Sequence, residues 1–156
     1  MKKQHKNKTI SDIEDHLGFW LRFVSNHVSS RFQKQLEAKD ITVTEWVALR
    51  TFFQHDETSH PDLIDALSMT KGAASKVITR LEEKGLATRQ AMDGKSRTQS
   101  IVLTQAGQQL VPQLAAIADA NDAHFFAQLD PAEHAALLVT LKKLVQIHEL
   151  KKIPVN

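Results

Sequence analysis

Between Lys71 and Lys84, the residues able to do chemistry fall into two stripes. Lys71, Ser75 and Thr79 recur every four residues, with Gly72 and Lys76 beside them. On a helix this spacing puts them on one side. Ala74, Val77, Ile78 and Leu81 follow an i, i+3, i+4, i+7 pattern and are expected to be buried. The exposed set suits a major groove. Serine and threonine hydroxyls donate or accept at base edges, and lysine reaches guanine acceptors or phosphate oxygens. A glycine near the helix start permits close approach, and the helix N-terminus itself favours phosphate. Thr70 and Arg80 complete the candidate set. Taken alone, the pattern also fits an ordinary solvated amphipathic helix.

A second basic group follows. Arg89, Lys95, Ser96 and Arg97 flank Asp93-Gly94, a hairpin signal. A turn tip carrying such residues lies along a nucleic-acid backbone or enters a minor groove, where arginine is favoured. From Lys71 to Arg97, seven basic residues face three acids (Glu82, Glu83 and Asp93) in a chain whose formal net charge is only +2. One basic surface on a near-neutral chain is the footprint expected of a DNA reader. A solubilising loop is the plainer alternative for the hairpin.

These groups need elements to hold them. A long helix is expected over 11–38, with Ile13, Leu17, Trp20, Leu21, Val24, Val28, Phe32 and Leu36 at threes and fours. Thr42 and Glu45 form a capping box that opens a second helix through Phe53, with Trp46, Val47, Leu49 and Phe53 as its apolar face. The stretch 55–60 reads as a loop, and Pro61 suits the start of a short third helix. Ser68-Met69-Thr70 turns into the helix described above, which Gly85 ends. Two short strands, 87–92 and 97–103, precede a helix capped by Thr104. A last helix starts at Asp130-Pro131. Helix, short helix, turn, helix and hairpin make a helix-turn-helix with a wing. The fold class is mainly α with a small β-wing. Residues 1–10 are expected to be a disordered basic arm, 42–104 the DNA-binding lobe, and 11–40 with 105–150 a helical dimerisation region.

In this frame Leu81-Glu82-Glu83-Lys84-Gly85-Leu86, Arg89 and Leu103-Thr104-Gln105-Ala106-Gly107 resemble the MarR family of regulators, as does Thr44-Glu45-Trp46-Val47-Ala48-Leu49. The resemblance is clear from about residue 42 to 110. It implies a homodimer on double-stranded DNA, with the first and last two helices interlocked and two lobes meeting successive major grooves. There is one departure. The family places an aspartate two residues ahead of the wing arginine; Lys95 stands there, and Asp93 comes two residues earlier. The usual Asp–Arg brace of the wing is therefore not expected. The resemblance also implies an effector pocket where the dimer helices meet the lobe. Trp20, Phe23, His27, Trp46 and Arg50 are the candidates for holding a small aromatic or anionic effector. Simple core packing of the same rings is the alternative.

The composition narrows the classes. The chain has 156 residues, 42% hydrophobic and 24% charged, which suits one soluble domain. No apolar run approaches the roughly 18 residues that cross a bilayer, so no membrane partner is expected. The N-terminal lysines lead into no apolar stretch, so no signal peptide is expected. Cysteine is absent, which excludes disulfides and thiolate chemistry and fits a cytoplasmic location. Eight histidines show no metal-binding spacing, and five glycines make no phosphate loop, so neither metal, cofactor nor enzymatic activity is expected. The leading expectation is a sequence-specific transcriptional regulator, a repressor released by a small ligand, on a pseudo-palindromic operator. The alternatives are a winged-helix architectural or protein-interaction module without ligand response, and an enzyme using the helical pocket. Operator binding separates the first two; turnover of a bound compound would establish the third.

Overall fold

The computed structural model describes residues 10–91 and 99–151. Most of the expected arm, and the expected wing tip with Asp93, Gly94, Lys95, Ser96 and Arg97, lie outside these residues. A 3-10 turn, Ile13–Asp15, precedes helix α1, Leu17–Glu37. The helix begins later than its apolar pattern predicts because local bonds turn the chain first. The Asp15 carboxylate accepts from the Asp12 amide at 3.0 Å, and the Trp20 indole donates to the Glu14 carbonyl at 2.9 Å.

Helix α2, Val43–Gln54, opens on the Thr42–Glu45 capping box. Its buried side differs from the expected one. Glu45, Ala48, Leu49 and Phe52 are buried, whereas Phe53 is exposed and Trp46 half-buried. A buried acid reads as polar, so the hydrophobic pattern pointed about a residue away from the true face. Strand β1, Thr58–Ser59, follows within what the sequence presents as a loop. It pairs antiparallel with β3, Thr58 opposite Ile101 and Ser59 opposite Ser100. Helix α3, His60–Leu67, is capped by Ser59, and helix α4, Lys71–Glu83, by Thr70. Between them Ser68 takes a left-handed backbone at φ 48°. Strands β2, Ala87–Ala91, and β3, Gln99–Leu103, complete a sheet of order β1-β3-β2. Helices α5, Gln105–Phe126, and α6, Pro131–Ile147, end the fold. The fold is thus mostly helical with a small antiparallel sheet.

The core lies in the winged lobe. Leu49 and Phe52 of α2, Leu63 and Leu67 of α3, Ala74, Val77, Ile78 and Leu81 of α4, and Ile101 of β3 are all buried. All four apolar positions expected on α4 are among them. The junction of α1 with α5 is fixed by a polar contact. The buried Asn121 accepts from Arg31 at 3.0 Å and donates to the Val28 carbonyl at 3.2 Å. Leu36 of α1 and Val111 and Leu114 of α5 join this core, but along α6 and the first half of α1 the picture reverses. Helix α6 contains no buried residue, and Leu137, Leu138, Val139, Leu141, Leu144, Val145 and Ile147 along it are exposed. Leu17, Trp20, Leu21, Phe23 and Val24 on α1 are exposed as well.

Candidate nucleic-acid interface

With its apolar stripe sealed into the lobe, α4 turns Lys71, Gly72, Lys76, Thr79 and Arg80 to solvent. Thr70, also exposed, caps the helix by accepting from the Ala73 amide at 3.2 Å. Its hydroxyl therefore has a structural task at the helix start. A Cβ built on Gly72 meets nothing within 4 Å. The described fold does not require glycine there. Ser75 is half-buried. Its hydroxyl lies 2.9 Å from Nε2 of His60, the first residue of α3.

The hairpin base is tied to the same helix. The Arg89 guanidinium on β2 pairs with the Glu82 carboxylate at 2.5 Å, and its second nitrogen reaches the Thr79 hydroxyl at 3.5 Å. Arg89 thereby links strand β2 to helix α4, with about a third of its side chain still accessible. Glu82 does not sit idle at the far end of the helix; it anchors this link. The Glu82–Arg89 pair thus braces β2 against α4.

His60, Lys71, Ser75, Arg89 and Gln99 rim an open cleft of about 610 Å³, with Pro61, Ile64 and Ile101 beneath them. Burial lowers the proton affinity of His60 below the usual imidazole range, and the charges of Lys71 and then Arg89 lower it further. Sequence spacing could not find His60, because its partner is fifteen positions away.

The aromatic candidates are placed differently. Trp20 and Phe23 stack edge-on along α1, and Phe23 leans on His27 at 4.8 Å between ring centroids. Trp46 packs instead against Phe32, at 6.5 Å, and Arg50 is exposed. The 610 Å³ cleft contains none of these five.

Comparison with known proteins accounts for this arrangement. Residues 41–97, which hold α2 through β2, match the model of the MarR family. The chain is similar to the MarR family over this central part. An HTH-type transcriptional regulator of Bacillus cereus is 28% identical over 138 residues, covering 85% of this chain and 90% of its own. BpsR of Bordetella bronchiseptica, whose DNA binding is regulated by 6-hydroxynicotinic acid, superposes with a TM-score of 0.74 at 23% identity, over 87% of this chain and 98% of its own. The DNA complex of MepR from Staphylococcus aureus gives 0.73 at 26% identity, over 84% and 97%. The matched family model and these relatives are those of DNA-binding transcriptional regulators rather than enzymes. Among the described residues, no helix is long and apolar enough to cross a membrane.

Proposed function

We propose that the chain is a cytoplasmic repressor that binds a pseudo-palindromic operator as a homodimer and is released by a small aromatic or anionic effector. The observation that carries the DNA reading is α4: a helix whose apolar side is locked into a helix-turn-helix core while its basic and hydroxyl side faces solvent. In this reading α4 supplies Lys71, Gly72, Ser75, Lys76 and Thr79 to the major groove, with Thr70 and Arg80 toward the backbone. Arg89, Lys95, Ser96 and Arg97 belong to the wing. MepR, solved with DNA, supports the mode of binding.

The test is affinity for a selected operator as a function of salt. Each phosphate neutralised contributes about −0.9 to the slope of log affinity against log salt. Lys71→Ala should flatten that slope by about 1. An affinity unchanged between low and moderate salt would refute the reading. The effector is tested on the same complex by titrating aryl carboxylates beside Trp20→Ala and Arg50→Ala. BpsR, regulated by a flat aromatic acid, supports that ligand class. Release by none of these at millimolar concentration would remove it.

Dimerisation rests on the uncovered apolar residues of α1 and α6. An array of this kind is costly to leave in water, and among the described residues it stays exposed. Light scattering should give twice the chain mass at micromolar concentration. A stable folded monomer there would contradict the proposal, as would an operator lacking paired half-sites about one helical turn apart.

A further inference from the structure

We propose that His60 is a positioning residue for sequence reading: its bond to Ser75 sets whether the serine hydroxyl gives or takes a hydrogen at the DNA base it faces. The proposal rests on Ser75 being a base-reading residue of α4. The contact joins two elements, His60 at the start of α3 and Ser75 one turn into α4, at 2.9 Å. A hydroxyl has one hydrogen and two lone pairs, so engaging one changes what remains. With Nε2 unprotonated, the ring takes the serine hydrogen and leaves lone pairs for an amino group on a base. With Nε2 protonated, the ring donates, and the serine hydrogen turns to an acceptor such as guanine N7 or thymine O4.

The surroundings make this state adjustable. Lys71 from α4 and Arg89 from β2 face the imidazole across the cleft, while β3 presents the uncharged Gln99 and Ile101. On α3 the nearby Asp62 carboxylate is occupied by Ser59, at 3.1 Å from its amide and 2.6 Å from its hydroxyl. Burial and the two cations favour a neutral ring in the free protein. DNA phosphates beside Lys71 and Arg89 offset those cations and favour proton uptake on binding. Falling pH then fixes His60 as a double donor and Ser75 as an outward donor.

The experiment selects half-site sequences with the full chain at pH 7.5 and pH 5.5, using wild type, Ser75→Ala, His60→Ala and His60→Gln. A glutamine amide occupies the Nε2 position but does not titrate in this range. Expected for wild type is a shift of about 3- to 10-fold at one base position, toward bases presenting an acceptor, as the pH falls; that is the range of one hydrogen bond. Ser75→Ala and His60→Ala should both relax that position. His60→Gln should keep discrimination at pH 7.5 and lose the pH shift. If Ser75→Ala relaxes the position while His60→Ala selects like wild type, the role of His60 is overturned and that of Ser75 stands. A pH shift retained in His60→Gln also overturns it. If Ser75→Ala changes nothing, the base-reading role of Ser75 falls and the proposal falls with it.

Discussion

Gly107→Ala is expected to destabilise the fold by about 3 kcal/mol or more, the upper end for overpacking a site that cannot yield. Gly107 lies in the first turn of α5. A Cβ there would stand 2.1 Å from the Leu86 carbonyl oxygen, 3.1 Å from its carbon and 3.2 Å from Leu103 Cδ2. Two of the three atoms are backbone, so no rotamer change relieves the clash. The same carbonyl accepts from the Thr104 amide at 3.1 Å. The Thr104 hydroxyl donates to the Gly85 carbonyl at 2.6 Å and accepts from the Gly107 amide at 3.1 Å. Backing α5 away therefore disturbs the joint between the end of α4 and the start of α5. Gly72→Ala is the control: with nothing within 4 Å, it should fold like wild type. Urea unfolding at one fixed protein concentration decides the matter, because stability of a dimer depends on concentration. A Gly107→Ala protein within about 1 kcal/mol of wild type would show that the joint yields more easily than packed backbone should.

Lys84→Met should cost a comparable amount, about 3–5 kcal/mol, the usual effect of stranding one member of a buried ion pair. The Glu45 carboxylate is 1% exposed, and the Lys84 ammonium approaches it at 2.9 Å. Lys84 also donates to the Asp40 carbonyl at 2.5 Å, and Asp40 holds a left-handed backbone at φ 56°. Without the ammonium, Glu45 keeps the Thr42 amide at 3.0 Å as a partner but loses its countercharge. Adding Glu45→Gln to Lys84→Met should recover much of the loss, since an amide needs no countercharge. A double mutant no more stable than Lys84→Met would mean that the lysine acts mainly through Asp40.

The two faces of α4 were legible because thirteen residues give several turns over which buried and exposed types can separate. Three helix starts were legible too: Thr42, Thr104 and Asp130 each accept the amide three residues on. What escaped is what has no local signal. Strand β1 is two residues long, too short for alternation to show. The true face of α2 includes Glu45, whose burial depends on Lys84, thirty-nine positions away. The Glu82–Arg89 brace joins a helix to a strand across a glycine turn, so neither helical nor strand period could pair them. The aromatic group on α1 and Trp46 share helical spacings, yet Trp46 turns to Phe32, a distinction set by how α1 crosses α2.

The Thr104 joint has an evolutionary consequence. It closes the hairpin at its root, where Thr104 meets Gly85 and Leu86, while β2 and β3 stay paired from Ala87–Leu103 out to Ala91–Gln99. The pairing of the two strands is thus anchored at its root, in the joint between α4 and α5. A lineage that keeps Thr104 and the backbone it binds keeps the register of these strands while the side chains along them change.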